Sequence, residues 1–496
     1  MLNLVIIILL SQHQALGLLN VHPSPSGTIP SPDYSATVDT IQAMVFFTSR
    51  EGMQPVVPGD NVPTLNARNV SFFGFSTDSA VWVRVTALYS ARVDKVEVYP
   101  LRAAALLPPP TISNNSISLS MDGPRQICLI INSLTDAPLC IFADPLESFV
   151  PTPSTPGVIY FGPGTHDAGV ISVASGETVY LSPGAHVNGR IELTSDGGAC
   201  SRLGKGVAVR GRGVLDGHAY PINATGPSLV SLGCEGALLE GITMINSPKY
   251  HLDAGYPYTN VQWVKGISWG YSTDGFTGGS QSLIQHSFLK VNDDSLKPFG
   301  PGTYVSDVVI WQMENGCAVM GSWNLNSDSG FITVRALDVI RHERNYADYN
   351  PDALLCFMHG GSGNLSNYLF EDVRVDQPGW AALQVFIQPN PWAHPVGSPG
   401  SIRPAVIVRN FSSTGHFLAP QAVQLQGLNV SSTVSGVFLD AVTFDGRLAS
   451  AADVSITGNP SFASSPVFCV NCTLSIVDVD WTKEQKCSLP TSYCKP

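Results

Sequence analysis

Residues 157–193 read GVIYFGPGTHDAGVISVASGETVYLSPGAHVNGRIEL, with short apolar runs between Gly, Pro and Asn turns. Segments of the same kind continue almost to the end of the chain, for example GVAVRGRGVLDG, SLIQHSFLKV and GFITVRALDVI. The paired-strand units recur every 22 to 37 residues or so, with the shorter spacings in the middle, which is typical of repeat architectures. Because every unit carries strands, we predict a right-handed parallel β-helix over residues 158–480. A propeller blade needs about four strands in roughly 40 to 45 residues, which is too long a unit.

The region before this repeat has a different pattern. In AVWVRVTALY and DKVEVYPL, apolar and polar residues alternate with the period of a strand that buries one face. We therefore predict an antiparallel β-sandwich over residues 41–150, joined to the β-helix by the linker PTPSTPG at 151–157. Residues 18–40, which include HPSPSGTIPSPDYS, are predicted to be an unstructured or extended lead-in, and residues 481–496 a cysteine-containing tail. The fold class is all-β.

The composition and net charge of the chain limit the kinds of molecule it is expected to bind. The 496-residue chain has a net charge of −12 and no basic stripe, which argues against nucleic acid and mildly against a polyanionic substrate. A neutral partner is the natural expectation. No stretch downstream of the first 17 residues has the length of a transmembrane helix, so we expect no membrane partner. We also expect a monomer.

The N-terminus and the cysteines indicate secretion. LNLVIIILL followed by QALG resembles a signal peptide over residues 1–17, which predicts an extracellular protein. The ten cysteines all lie downstream, and an oxidising compartment favours disulfides, with Cys128–Cys140 and Cys200–Cys234 as plausible pairs. Near the end, four cysteines could hold zinc or form disulfides, and the secretory context favours disulfides: Cys469, Cys472, Cys487 and Cys494. N-glycosylation sequons occur at Asn69, Asn114, Asn223, Asn364, Asn410, Asn429 and Asn471.

Three carboxylates stand out in YSTDGFTGGSQSLIQHSFLKVNDDSLKPF, residues 271–299, because only 13% of the chain is charged. Asp274 precedes the pair Asp293–Asp294 by about one coil, and coils of a β-helix stack about 4.8 Å apart. Stacking would therefore bring the three together. Neighbouring carboxylates disfavour joint ionisation, so one would keep its proton as an acid while another serves as a base, as glycosidic cleavage requires. Alternatively, Asp274–Gly275 is a turn pair and Asn-Asp-Asp a turn or a calcium site.

Consecutive strand residues point to opposite faces, so Asp293 and Asp294 need a bend if both are to face the cleft. Asn292 is a residue type that tolerates such a bend. The other interpretation is that only one of the two lies in the cleft.

STDGF and NDDSLK on a secreted β-helix resemble the polygalacturonase-like β-helix clan, and most of all glycoside hydrolase family 49, the dextranases and isopullulanases. The resemblance extends to VVIWQMENG, Trp323, LDVIRH, the 157–193 segment and the N-terminal sandwich. It implies a secreted inverting endo-hydrolase of an α-glucan, most of all of the α-1,6 linkages of dextran. It also implies that Asp293 is the general acid and that Asp274 and Asp294 activate water. An inverting mechanism needs an acid and a base about 6.5–9.5 Å apart. The resemblance calls for no metal and no cofactor.

The chain departs from these relatives in places. The polygalacturonases have a Gly-His-Gly and an Arg-x-Lys that holds a uronate, whereas here the corresponding coil reads NGCAVMGSW and no Arg-x-Lys follows. These differences argue against pectate. Met320 stands where family 49 suggests an acidic residue, and the pair Arg341-His342 stands where the family usually has a single His. These differences leave the identity of the sugar undetermined.

Sugar binding uses aromatic faces and hydrogen-bonding side chains. The candidates near the carboxylates are Lys297, Tyr271, Trp311, Trp323, Tyr250 and His251. Lys297 is a well-placed cation, whereas each of the others is equally compatible with core packing. Tyr256, Tyr258 and Trp269 are further candidates, while His251 and His342 are more typical of structural histidines. Two other functions stay open: a hydrolase of another neutral polysaccharide (pullulan-like, or a plant or algal cell-wall glycan), and a non-catalytic β-helix carbohydrate-binding protein.

Overall fold

The computed structural model describes residues 18–49, 69–193, 206–222, 226–346, 353–389 and 397–470. The predicted signal peptide and the predicted tail lie outside these ranges, as do Asn223 and Asn471. Among the described residues no helix is long and apolar enough to cross a membrane.

The N-terminal domain is the predicted β-sandwich of two sheets. The six-stranded sheet contains β1 Leu19–Val21, β4 Phe46–Ser49, β5 Asn69–Thr77, β7 Val96–Tyr99, β10 Arg125–Ile131 and β11 Leu139–Asp144. The five-stranded sheet contains β2 Tyr34–Val38, β3 Ile41–Ala43, β6 Val81–Ala87, β8 Thr111–Ser113 and β9 Ser116–Met121. A short helix, α1 Leu101–Leu106, follows β7. In β6 the alternate residues Val81, Val83 and Val85 enter the core between the sheets while Trp82 is 59% exposed, which is the pattern of a half-buried strand.

Residues 18–40 were predicted to be an unstructured or extended lead-in, but they contain two strands of the sandwich, β1 and β2. The prediction that they lie outside the sandwich was wrong. β1 pairs with β5, and β2 lies between β3 and β6 in the five-stranded sheet. The reason is visible in YSATV, where Tyr34, Ala36 and Val38 alternate into the core. The prolines are confined to the connection between the two strands, where no ladder hydrogen bond is lost.

The second domain is the predicted parallel β-helix, a 29-stranded sheet that winds through three ladders. The first ladder contains β12 Val158–Phe161, β14 Thr178–Leu181, β16 Ala208–Gly211, β19 Leu238–Glu240, β22 Asn260–Gln262, β25 Leu283–Gln285, β36 Val437–Asp440 and β40 Val467–Cys469. The second contains β17 Val214–Asp216, β20 Thr243–Ile245, β23 Lys265–Ile267, β26 Phe288–Val291 and β37 Thr443–Phe444. The third contains β18 Val230–Ser231, β21 Leu252–Asp253, β24 Phe276–Gly278, β27 Leu296–Pro298, β29 Val319–Ser322, β31 Ala353–His359, β33 Ala381–Ile387, β35 Val423–Gln426 and β39 Val454–Ile456.

Longer strands bend from one ladder into the next. β13 Gly164–Val173 and β15 Ala185–Leu193 join the second and third ladders. The first and second ladders share β28 Tyr304–Gln312, β30 Ser329–His342, β32 Leu365–Val375 and β34 Val406–Ser413. β38 Arg447–Leu448 turns back on β37, and two 3-10 helices, Ala451–Asp453 and Pro460–Phe462, follow.

Coil length varies as the sequence predicted. Leu283 pairs with Tyr304, 21 residues later, whereas Tyr368 pairs with Val406, 38 residues later. The short central coils contain only short turns between ladders, so residues on neighbouring central coils lie close together. The interior is a continuous apolar column, and the carboxylates lie beside it on these central coils.

The sandwich packs against the outer side of the second ladder. An apolar cluster joins Phe72 and Phe142 of the sandwich to Phe288 and Trp311 of the β-helix. Within it, Lys265 Nζ lies 2.6 Å from Asp144 Oδ2, and burial lowers the pKa of Lys265 to about 8. The paired charge and the apolar contacts fix the sandwich against the β-helix.

The predicted disulfide Cys128–Cys140 is present as a cross-strand bond between β10 and β11. A second disulfide, Cys317–Cys356, joins neighbouring coils of the third ladder and was not predicted. Cys234 and Cys469 are also disulfide-bonded. The other members of the predicted pairs and cluster, Cys200, Cys472, Cys487 and Cys494, lie outside the described residues.

Candidate active site

The three acidic residues lie where the chain enters the third ladder. Phe276 of β24 pairs with Leu296 of β27, so Asp274 and Asp294, each two residues earlier, occupy equivalent positions on successive coils. Asp274, Asp293 and Asp294 each offer an oxygen within 4.8 Å of the other two. The predicted stacking of the carboxylates is therefore confirmed.

A tight turn between β26 and β27 places Asp293 and Asp294 on the same side. Buried Asn292 holds this turn, since its Nδ2 donates to Trp269 O at 2.8 Å and its Oδ1 accepts the Asn315 N–H at 3.1 Å. The side chain thus ties together three successive coils. The predicted bend at Asn292 is present.

Gly316, on the next coil, has φ +71°, and a Cβ at this position would lie 2.4 Å from Asp294 N. Only glycine combines this backbone with so close an approach to the acidic pair.

Asp293 is half-buried and accepts several N–H groups. Its Oδ2 accepts Ser272 N at 2.9 Å and Asn315 Nδ2 at 2.8 Å, and its Oδ1 accepts Asp294 N at 2.9 Å. Burial, followed by the charges of Asp274 and Asp294, raises the pKa of Asp293 well above its usual value. The raised pKa favours the protonated form, which can act as an acid.

Asp294 is fully buried, and each of its oxygens accepts one hydrogen bond. Oδ1 accepts Cys317 N at 3.0 Å, and Oδ2 accepts Trp323 Nε1 at 2.7 Å. Burial and the Asp274 charge raise the pKa of Asp294 to about 7. Asp294 therefore titrates near neutral pH.

Asp274 is paired with a cation. Lys297 Nζ lies 2.6 Å from Asp274 Oδ2 and 3.7 Å above the centre of the Tyr250 ring. Burial lowers the pKa of Lys297, but the Asp274 carboxylate more than reverses this effect, so the lysine stays charged. A calcium ion among the three aspartates would lie beside this ammonium group, so the donor set does not suit a metal.

The structure brings three of the predicted sugar-binding aromatics to this site. Tyr250 lies under Lys297, and Trp323 contacts Asp294. Tyr271 precedes Ser272, whose N–H reaches Asp293, and its hydroxyl donates to Glu314 Oε1 at 3.2 Å.

Two other predicted sugar contacts, Trp311 and His251, are fully buried. Trp311 faces the sandwich, where its Nε1 donates to Glu343 Oε1 at 2.7 Å. His251 Nδ1 lies 3.0 Å from Asp274 O, its Nε2 lies 2.9 Å from Ser268 Oγ, and burial lowers its pKa to about 4. Neither is retained as a sugar-binding candidate, since neither side chain is accessible to a polysaccharide.

Several residues that complete the site could not be identified from the sequence. Ser272 and Cys317 contribute backbone N–H groups, for which residue type carries no signal. Asn315–Gly316 is a turn dipeptide, and this was the only available hint of the Asn315 contact.

A group of half-buried aromatics packs on Cys317, Met320 and Met358 beside the carboxylates, and we call it the aromatic cluster: Phe299, Trp323, Trp380 and Phe386.

Comparison with known proteins agrees with this architecture. No family model matches the chain. The dextranases of Arthrobacter sp. (strain CB-8) and Arthrobacter globiformis are each 29% identical to it over 197 residues, a match that spans 34% of this chain but only 30% of theirs. Dex49A from Penicillium minioluteum superposes with a TM-score of 0.71 at 17% identity, covering 90% of this chain and 96% of that one, which shows a shared fold.

The chain resembles glycoside hydrolase family 49. That resemblance, expected from STDGF and NDDSLK, is confirmed by the two dextranases and by the fold shared with Dex49A.

Proposed function

We propose that this protein is a secreted, inverting endo-glycoside hydrolase that acts as a monomer on a neutral α-glucan, with the α-1,6 linkages of dextran as first choice. The observation that carries the proposal is the trio Asp274, Asp293 and Asp294, whose oxygens approach within 4.8 Å although their environments differ. One member is paired with Lys297, whereas the pKa of the other two is raised. Such a division supplies an acid and a base at one site.

Asp293 is the general acid in this proposal. Its Oδ2 already accepts two N–H groups, so the proton belongs on Oδ1, which accepts only the adjacent backbone N–H. The Oδ1 proton passes to the glycosidic oxygen as the bond to the anomeric carbon breaks.

Asp274 and Asp294 hold and deprotonate the attacking water. Asp274 is paired with Lys297. Each Asp294 oxygen accepts a hydrogen bond that favours the ionised form, although burial and the Asp274 charge raise the pKa of Asp294 to about 7. The raised pKa makes ionised Asp294 a better acceptor of a water proton than an ordinary carboxylate. The water proton goes to the carboxylate, and the hydroxide oxygen forms the new bond to the anomeric carbon.

The three carboxylates form a compact group. One oxygen of each carboxylate lies within 4.8 Å of an oxygen of the other two. For comparison, whole carboxyl groups are separated by roughly 6.5–9.5 Å in inverting enzymes and by roughly 5–5.5 Å in retaining ones. The hydrogen bonding of Asp294 and the ion pair of Asp274 are what support inversion here. NMR of the first-formed product tests this point, since a retained anomeric configuration would overturn the water mechanism.

The site also supports a neutral substrate. The nearest cation, Lys297, is engaged by Asp274, and the chain carries a net charge of −12, so a uronate would meet repulsion. The aromatic cluster offers apolar faces that suit pyranose rings.

Reducing ends released from dextran, pullulan, polygalacturonate and arabinogalactan test the activity. We expect release from dextran and a loss of about 10²–10⁴-fold in Asp293→Asn. Asp307→Asn is the matched control, because exposed Asp307 has φ 54°, a backbone that Asn adopts readily. Release from pullulan or arabinogalactan alone would favour another neutral polysaccharide as substrate. No release from any of them by folded protein would contradict hydrolysis and favour a carbohydrate-binding role.

A further inference from the structure

Trp323 touches both the acidic trio and the aromatic cluster. The indole Nε1 donates to Asp294 Oδ2 at 2.7 Å, while the ring packs against the same buried residues as the other three members of the aromatic cluster. Its position just after β29 places it one coil beyond the acidic pair. The side chain therefore has a polar edge in the site and an apolar body in a packed cluster.

The second donor to Asp294 belongs to the same packed unit. Cys317 contributes its backbone N–H to Asp294 Oδ1 at 3.0 Å, is fully buried in the cluster that includes Trp323, and is bonded to Cys356 on the next coil. Both oxygens of Asp294 thus accept hydrogen bonds from residues of one packed cluster. A hydrogen bond from a rigid donor favours the ionised carboxylate over the protonated one.

Resting on the proposed function, we infer that Trp323 is a positioning residue that favours the ionised form of Asp294 and orients it towards the water, while its ring forms part of the surface that receives the neighbouring sugar. Removal of the indole N–H would then leave sugar contact in place but reduce the ionised fraction of Asp294 at a given pH. A purely structural or purely stacking tryptophan would not have this effect.

Within the described part of the chain, four charged or titratable groups lie around Asp294. Asp293 adjoins it in the same turn, Asp274 lies on the preceding coil, and Lys297 and the Tyr250 ring lie alongside. Asp293, Asp274 and Tyr250 oppose ionisation of Asp294 when charged, and Lys297 favours it. With the opposing carboxylates so close, loss of one donor raises the pKa of Asp294 above its present value of about 7.

The kinetic test is Trp323→Phe, which keeps an aromatic ring and removes the N–H. We expect the acid limb of the pH profile of kcat/KM on dextran to move up by about one pH unit, with a smaller change in KM. Trp380→Phe is the matched control, since Trp380 lies in the same cluster and donates to no carboxylate within the described residues. A shift in Trp323→Phe alone supports the inference, and equal profiles in the two variants would overturn it.

A second measurement needs neither substrate nor a stable Trp323 variant. Tryptophan fluorescence of the full chain, followed from pH 5 to 9, should show a transition near the acid limb as Asp294 loses its proton, and Asp294→Asn should abolish it. An unchanged transition in Asp294→Asn would overturn the contact. If no polysaccharide is cleaved but the transition behaves as expected, the proposed activity fails while the Trp323–Asp294 contact stands.

Discussion

Asp274 and Asp294 occupy the same register position on successive coils, and the Gly275 N–H next to Asp274 donates to Asp294 O at 3.0 Å. The distance between the two carboxylates is therefore set by the spacing of paired strands, about 4.8 Å, rather than by a loop. A site at the edge of a paired sheet is held more rigidly than one on loops. The same rigidity keeps like charges close and makes their ionisation mutually dependent.

The ion pair of Lys297 with Asp274 is expected to make a large contribution to the free energy of unfolding. Lys297→Met leaves a buried carboxylate without its cation, and we expect a loss of about 3–5 kcal/mol in the free energy of unfolding together with loss of hydrolysis. Lys249→Met is the control, because Lys249 also lies over the Tyr250 ring, at 4.6 Å, and is half-buried. It should cost about 1 kcal/mol or less. Urea unfolding of both variants measures the difference, and equal losses would contradict a dominant ion pair.

The acidic pair should make wild-type stability fall as pH rises. A carboxyl group whose pKa is higher in the folded than in the unfolded chain contributes stability below the unfolded pKa of about 3.9, and this contribution is lost at higher pH. Asp294, at about 7, and Asp293, well above its usual value, both have this sign. Each retained proton gives a slope of about 1.4 kcal/mol per pH unit between pH 4 and 7.

Asp293→Asn imitates the protonated acid, so it should match the wild type near pH 4 and exceed it in free energy of unfolding at pH 7. Urea unfolding at several pH values, with Asp307→Asn as control, measures this. Parallel curves for the wild type and Asp293→Asn would show that Asp293 is not held protonated.

Gly316 is expected to be essential for the geometry of the pair. Gly316→Ala adds a Cβ 2.4 Å from Asp294 N on a backbone with φ +71°, so the turn must move. Gly446→Ala is the control, since its φ of +74° is similar but no atom lies within 4 Å of the added Cβ. The control should lose only about 1–2 kcal/mol of backbone strain and keep its activity. Thermal unfolding and dextran hydrolysis separate the two, and full activity in Gly316→Ala would contradict close packing at the pair.

The disulfides Cys317–Cys356 and Cys128–Cys140 should differ in their effect on activity. Removal of Cys317–Cys356 by a double Ala substitution frees the segment whose N–H holds Asp294, so hydrolysis should fall along with stability. Removal of Cys128–Cys140 in the sandwich should lower stability alone. For loops of 39 and 12 residues we expect losses of about 4 and about 3 kcal/mol. Unchanged kcat/KM in the first variant would show that the disulfide does not position Cys317.

Much of the fold followed from local patterns. Alternation in WVRV and short apolar runs between Gly and Asn turns identified strands, and the coil length identified the β-helix, because these features depend on neighbours in the chain. The pairing of β1 and β2 with the sandwich was missed, since a proline-rich segment between two short strands looks locally like a linker.

By itself, the sequence determined that Asp274 precedes Asp293, Asp294 and Lys297 by about one coil. It therefore determined that these residues lie at the same edge of the sheet. Only the tertiary structure decided what surrounds them: Lys297 on Asp274, Trp323 and Cys317 on Asp294, and Asn315 on Asp293. It also placed Trp311 and His251 out of reach of a polysaccharide. The reason is that ionisation, hydrogen bonding and access depend on groups from other coils, whose direction and burial are fixed by packing and not by residue type.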